Sequence, residues 1–160
     1  MWLGDLGRSF RYAGRGILRS VREERNLRIH LCAVCYVSAA GWLAELSGTQ
    51  WAALALCFGA VIRAELINTA VENLCDALHP GAHPKVGAAK DAAAGSVLVL
   101  ALAAVGVAAA LFGPWLKAGG LGEAFRLRPW LGPVLLASLI PAVLFILFPT
   151  GNTKEKEEQY

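Results

Sequence analysis

The second half of a long apolar run reads Glu65-Leu66-Ile67-Asn68-Thr69-Ala70-Val71-Glu72-Asn73-Leu74-Cys75-Asp76. Four polar side chains in it recur at offsets of 0, 3, 7 and 11: Glu65, Asn68, Glu72 and Asp76. At about 100° per residue they fall within roughly 80° of arc, which makes one stripe along a helix. Carboxylates at membrane depth cost on the order of 2.5–3.5 kcal/mol each, so a row of them indicates a use. Clustered acidic oxygens favour a hard cation such as Mg²⁺.

The composition predicts an all-α integral membrane protein. Of the 160 residues, 56% are hydrophobic, above the roughly 45–50% typical of soluble domains, and the excess lies in long runs. The first 30 residues hold seven arginines against three acids, a pattern typical of a basic segment at the cytoplasmic membrane surface. We expect a multi-pass protein of the bacterial cytoplasmic membrane, with no nucleic-acid partner.

Four segments follow from the distribution of apolar and charged residues. They are an interfacial amphipathic helix (1–28), a core of three membrane helices (29–116), a linker with a further membrane helix (117–149) and a charged disordered tail (150–160). Within the core we expect helices at 29–46, at 51–76 and from 90 to about 116, with a loop or broken helix at 77–89. The last predicted helix runs from Trp130 to Phe148.

The distribution of positive charge predicts the topology. A cytoplasmic N-terminus places the 77–91 region on the same side, and four spans return the tail there. Lys117, Arg126 and Arg128 would then lie outside, against the positive-inside trend. Two alternatives remain: residues 120–129 lie along the interface, or the last apolar run does not span.

Three charged segments converge on the predicted cytoplasmic face: residues 23–30, the polar stripe, and residues 85–91. Together they offer carboxylates for Mg²⁺, a lysine for phosphate and a further carboxylate to act as a base, which is what phosphoryl transfer requires. The sequence has neither a Walker motif nor a kinase glycine-rich loop. A nucleotide enzyme here must therefore be of another kind.

The twelve residues from Glu65 to Asp76 resemble the signature of the small prokaryotic diacylglycerol kinase family. Lys90-Asp91-Ala-Ala-Ala-Gly95 matches as well, and the resemblance covers roughly residues 8–115. This Lys90–Gly95 form, and Glu24-Arg25-Asn26 followed by Ile29-His30, look more like the undecaprenol kinase branch than the enterobacterial diacylglycerol kinase branch.

The resemblance implies a homotrimer of three-helix subunits with active sites at subunit boundaries near the cytoplasmic interface. It implies transfer of the γ-phosphoryl group of MgATP to a lipid hydroxyl, with Glu24 and Glu72 as Mg²⁺ ligands and Glu65 as general base. The positions it implies for nucleotide and phosphate contacts are Asn68, Asp76, Gly87, Lys90, Asp91, Tyr12 and Arg28. An aromatic residue beside the adenine is replaced by Ala82, and the Trp130–Phe148 helix has no counterpart in the family core.

The favoured function is therefore phosphorylation of undecaprenol to undecaprenyl phosphate. Alternatives are a diacylglycerol kinase that makes phosphatidic acid, a cation-binding transporter whose pathway the acids line, and a non-catalytic membrane scaffold. A purely structural role would pair Glu65 or Glu72 with Arg63 or with arginines of the N-terminal segment.

Overall fold

The protein is a bundle of helices. A computed structural model describes residues 2–148, with side chains from residue 5 onward, and this part of the chain contains no strand. The charged tail at 150–160 lies outside the described residues. Six helices follow one another along the chain: α1 (Trp2–Glu23), α2 (Arg25–Leu43), α3 (Gly48–Leu78), α4 (Pro84–Lys117), α5 (Gly120–Leu127) and α6 (Leu131–Leu147).

A long antiparallel hairpin of α3 and α4 forms the centre of the bundle. Ser47 begins α3 with a capping box, in which its hydroxyl accepts from the backbone N–H of Gln50 and the Gln50 side chain accepts from the N–H of Ser47. Pro84 stands in the first turn of α4, where a missing N–H leaves no helical hydrogen bond unmade. The turn between the helices brings the acidic end of α3 beside the start of α4.

The number of membrane spans is two to three by length and composition. Helices α3 and α4 are each long and apolar enough to cross a bilayer. The α5–α6 pair, bent by 100°, would add a third if both helices belong to one span. An all-helical membrane protein is thus confirmed, whereas the count of four spans stays a prediction.

The boundary between the first two helices differs from the predicted one. We expected a helix through residue 28 and a membrane helix from 29, but α1 ends at Glu23 and α2 begins at Arg25. Glu24 between them has an extended backbone, with φ −98° and ψ 115°. Residues 25–30, which include Arg25 and Arg28, therefore form the first turns of α2. This places His30 directly against α3.

The last helix lies along α2 and runs antiparallel to it. At one end the Arg128 guanidinium lies 5.3 Å from the centroid of the Trp42 ring. In the middle the hydroxyls of Tyr36 and Ser138 are 3.0 Å apart. At the other end Arg28 donates to the carbonyl of Ile146. The carboxyl end of α6 therefore lies beside the amino end of α2.

A sharp corner between α4 and α5 turns the chain back toward α2. Gly119 adopts a left-handed backbone with φ 78°, which glycine enters without steric penalty. The Trp115 ring packs against the backbone of Gly120, so closely that a Cβ there would meet the indole nitrogen at 2.3 Å. The predicted linker therefore contains a short helix that the sequence analysis did not anticipate.

Candidate active site

The carboxyl half of α3 turns its polar stripe into the bundle. Glu65 is 3% exposed and Asn68 is 7% exposed. Thr69 beside them is also buried, and its hydroxyl donates to the backbone carbonyl of Glu65 at 3.0 Å. Burial of a carboxylate among apolar helices is costly unless a partner or a ligand compensates it. This stretch of α3 is therefore where a functional site is expected.

A cavity of about 300 Å³ opens beside this stripe. Its polar wall comes from α2 and α3 and consists of Asn26, His30, Glu65, Asn68 and Glu72. Its opposite wall comes from α4 and is apolar. Three of the four stripe residues thus line one cavity, as their spacing on a single helix face predicts.

His30 is the direct partner of Glu65. The His30 Nε2 atom lies 3.4 Å from Glu65 Oε1, and the two side chains are 23% and 4% exposed. In the described part of the chain no arginine or lysine forms an ion pair with Glu65 or Glu72, and the pairing with Arg63 that a structural role would require is not formed. The sequence assigned His30 no role in the site. Its signals were the resemblance of Ile29-His30 to the undecaprenol kinase branch and an imidazole at the edge of an apolar run.

Asn68 links the buried part of the site to Glu72. Its side-chain amide donates to Glu72 Oε1 at 2.8 Å. Its carbonyl oxygen Oδ1 is buried and accepts no hydrogen bond from any group that the structure describes. A buried amide oxygen without a donor costs about 1–3 kcal/mol, so a ligand donor or a cation is expected to satisfy it.

Glu24 faces the same carboxylates from the α1–α2 break. Partial burial raises the pKa of its carboxyl above 4.5, and repulsion from Glu72 and Glu65 raises that pKa further. A bound cation would relieve this repulsion. No group of three or more His, Cys, Asp or Glu side chains among residues 5–148 is close enough to hold a metal unaided. Two carboxylates still suit Mg²⁺, which keeps waters and takes further oxygens from substrate phosphates.

The other residues predicted for nucleotide contacts are not among those that line this cavity. Lys90 pairs with Asp76 across the α3–α4 turn, with Nζ and Oδ1 2.5 Å apart. Gly87, Asp91 and Tyr12 are exposed, as is Ala82. Arg28 is buried and donates to backbone carbonyls of α1 and α6. One chain therefore brings Glu65, Asn68 and Glu72 to one cavity, whereas the other predicted residues, Glu24 included, do not line it.

A second, apolar cavity of about 210 Å³ lies next to the first, between α2, α3 and α4. His30 and Ala101 line both cavities. The remaining lining of the second cavity is aliphatic and aromatic, with one cysteine. The polar site thus adjoins a hydrocarbon-lined space beside which an apolar chain could lie.

Comparisons with known proteins identify the family of the chain. Residues 11–112 match the family model of prokaryotic diacylglycerol kinases. The chain is 45% identical over 95 residues to an undecaprenol kinase of Bacillus subtilis (strain 168), and this match covers 59% of the chain and 77% of the relative.

A diacylglycerol kinase of Synechocystis sp. (strain ATCC 27184 / PCC 6803 / Kazusa) is 40% identical over 107 residues, which cover 66% of the chain and 61% of that relative. No solved structure matches significantly. The family match spans well over half of the chain, includes the whole polar stripe and ends before α5 and α6. The chain therefore belongs to the prokaryotic diacylglycerol kinase family, a family of prokaryotic lipid kinases.

Proposed function

We propose that this lipid kinase transfers the γ-phosphoryl group of ATP to the hydroxyl of undecaprenol at the cytoplasmic membrane interface. The observation that carries the proposal is the junction of the two cavities. A polar cavity lined by the buried Glu65 lies next to an apolar one, and His30 and Ala101 line both. A lipid alcohol has the matching form, with one hydroxyl at the end of a hydrocarbon chain.

Glu65 acts as the general base in this proposal. Its carboxylate takes the proton from the lipid hydroxyl as that oxygen attacks the γ-phosphorus, while the bond to the β–γ bridging oxygen breaks and ADP leaves. A base so placed contributes about 10²–10⁴-fold to a rate. His30 contacts one carboxylate oxygen at 3.4 Å and leaves the other for the substrate. Placing the base and the hydroxyl at one depth supplies much of the rest of the catalysis through proximity.

Glu24 and Glu72 would hold Mg²⁺, which when bound neutralises charge on the phosphates of ATP. Asn68 fixes the Glu72 carboxylate through its amide and offers its free Oδ1 to the ligand. Lys90, Asp76, Asp91, Gly87 and Tyr12 are proposed nucleotide contacts on the strength of the family resemblance. Arg28, which the resemblance also implies, is buried and its guanidinium donates to backbone carbonyls instead. Because none of the proposed nucleotide contacts lines the cavity of one chain, we propose a homotrimer in which neighbouring subunits complete each site.

The acceptor is inferred from the relatives, because the apolar lining of the second cavity suits the hydrocarbon of either lipid. The 45% identical relative is named an undecaprenol kinase and the 40% identical relative a diacylglycerol kinase. Diacylglycerol therefore remains the alternative acceptor, and the reaction chemistry is the same for both.

The orientation follows from where water-soluble ATP must enter. We propose that α1 lies along the cytoplasmic interface and that the amino end of α2, the carboxyl end of α3 and the amino end of α4 face the cytoplasm. The contact of Arg28 with the end of α6 supports placing the end of the described chain on that side too.

Transfer of γ-labelled phosphate from MgATP by the purified protein in mixed micelles tests the proposal. Undecaprenol and diacylglycerol are offered separately and in competition, and we expect the higher kcat/KM for undecaprenol. A higher kcat/KM for diacylglycerol would show that diacylglycerol is the acceptor, and the proposed phosphoryl transfer would stand. No labelled lipid from either, in a folded and oligomeric preparation, would favour the transporter or the scaffold.

A further inference from the structure

Arg28 is a buried cation whose partners are helix ends. It is 3% exposed, and in the described chain no carboxylate lies within ion-pair distance of it. Its Nη1 atom donates to the carbonyls of Val21 at 3.0 Å and Arg22 at 2.9 Å. Its Nε and Nη2 atoms donate to the carbonyl of Ile146 at 3.3 and 3.2 Å.

All three carbonyls lie in the last turn of a helix. Val21 and Arg22 stand near the end of α1, and Ile146 stands near the end of α6. Carbonyls of a last turn have no partner within their own helix, and the aligned peptide dipoles give that end a partial negative charge. One guanidinium therefore donates hydrogen bonds to the free carbonyls at the ends of two helices. The partial negative charge of these helix ends offsets the cost of burying the guanidinium charge. A lysine could not reproduce this forked arrangement.

This contact ties α6 to the segment that carries Glu24. The N–H of Glu24 donates to the carbonyl of Ser20 at 2.8 Å, and the carbonyl of Glu24 accepts from the N–H of Arg28 at 3.4 Å. Glu24 has no side-chain capping bond of its own. Its position is therefore set by the end of α1 and the start of α2, which Arg28 holds together.

The helix that supplies the Ile146 carbonyl lies outside the family match, which ends at residue 112. Two further contacts, from Arg128 to Trp42 and from Tyr36 to Ser138, keep α6 along α2. The carboxyl end of the additional helix α6 is thus held against the α1–α2 junction, which carries Glu24.

We propose that Arg28 is a positioning residue that clamps the carboxyl end of α6 onto the α1–α2 junction and thereby holds Glu24 in place for the metal. The metal role of Glu24 rests on the proposed function, whereas the clamp itself does not. In this account α6 supports metal binding without contacting a substrate.

The test compares Arg28→Gln and Arg28→Lys with the wild type in the full-length protein in nanodiscs. Arg25→Gln is the matched control, because Arg25 is the exposed neighbour on the same helix. The first readout is the rate of cleavage after Glu23 and Glu24 by a glutamate-specific protease. The second is the half-saturating concentration of Mn²⁺, followed by electron paramagnetic resonance with a non-hydrolysable ATP analogue.

We expect Arg28→Gln to accelerate cleavage at the junction and to raise the Mn²⁺ half-saturation by about 10-fold, as loss of a ligand's supporting contact does. kcat at saturating Mg²⁺ should change much less. Arg28→Lys should fall between Arg28→Gln and the wild type, and it carries the test if Arg28→Gln does not fold. Arg25→Gln should behave as the wild type does.

Unchanged cleavage and unchanged Mn²⁺ binding in both Arg28 variants would overturn the clamp. A higher KM for ATP with unchanged cleavage would overturn it in favour of a direct phosphate contact. Faster cleavage in variants of a protein whose wild type binds no Mn²⁺ would overturn the metal role of Glu24, while the clamp would stand.

Discussion

Glu24 carries a charge that its surroundings disfavour. Its carboxyl is partly buried and faces Glu72 and Glu65, and both effects raise its pKa above 4.5. Because the pKa of Glu24 is higher in the folded state than in the unfolded state, the contribution of this carboxyl to the free energy of unfolding is fully present below about pH 4.5. That contribution is lost as the pH rises through the folded-state pKa. The same ionisation is what a cation requires, so metal binding and fold stability should respond to pH in opposite directions.

The Mg²⁺ requirement should therefore depend on pH. As the pH rises from about 4.5 through the raised pKa of Glu24, protons compete less for the carboxylate and the half-saturating Mg²⁺ concentration should fall. Metal titrations of phosphate transfer at several pH values measure it. A half-saturation that stays constant across this window would count against Glu24 as a ligand.

Replacing Glu24 by glutamine should make the fold more stable and the enzyme less active. The amide is isosteric and uncharged, so the melting temperature near neutral pH, measured with EDTA present, should rise above that of the wild type. When the pH is lowered, the melting temperature of Glu24→Gln should rise less than that of the wild type. Glu45→Gln, at an exposed site at the far end of α2, is the control and should change neither property. A lower melting temperature for Glu24→Gln would contradict the repulsion described here.

At the scale of the elements, the spacing of polar residues predicts which helix face they share better than it predicts where a cavity along that face ends. The stripe at 65, 68, 72 and 76 lies on α3 as predicted, and three of its residues line one cavity. Asp76 lies one turn further on, beyond the cavity, where it is exposed and pairs with Lys90. Periodicity identifies the face that a side chain shares, but not how far the neighbouring helices extend alongside it.

Contacts between distant segments were beyond what the sequence could predict. Arg28 lies in α2 and donates to the carbonyl of Ile146, a residue 118 positions further along the chain. Nothing in its local sequence distinguishes it from the exposed arginines of α1. His30 was assigned no role for the same reason, since its partner Glu65 lies on another helix. Local patterns predicted the helices and the chemistry, whereas tertiary contacts determined the partners.

The α4–α5 corner gives a prediction about an element junction. Gly120→Ala should lower the free energy of unfolding by about 1–3 kcal/mol, because a new Cβ would displace the Trp115 ring. Gly122→Ala is the matched control on the same helix, with open space around it, and should be neutral or stabilising by up to about 1 kcal/mol. Thermal unfolding in detergent compares the two. Equal stability of both variants would show that the Trp115 contact does not constrain this corner.

At the scale of the whole molecule, one chain holds an incomplete set of the proposed contacts. Asp91 is exposed and does not line the cavity that contains Glu65. If neighbouring subunits share each site, inactive Glu65→Gln and Asp91→Asn chains should complement each other on mixing. Random reassembly of equal amounts into a closed ring should restore about a quarter of wild-type activity. No recovery, in mixtures shown to exchange subunits, would place both residues in the same subunit's site.

The central claim is that a carboxylate buried in the membrane bundle performs kinase chemistry. The most direct measurement is transfer of γ-labelled phosphate from MgATP to undecaprenol by Glu65→Gln beside the wild type, with oligomeric state and melting temperature measured on the same samples. We expect kcat to fall by about 10²–10⁴-fold with assembly retained, because an amide cannot accept the proton. Wild-type transfer by an intact Glu65→Gln protein would contradict the account.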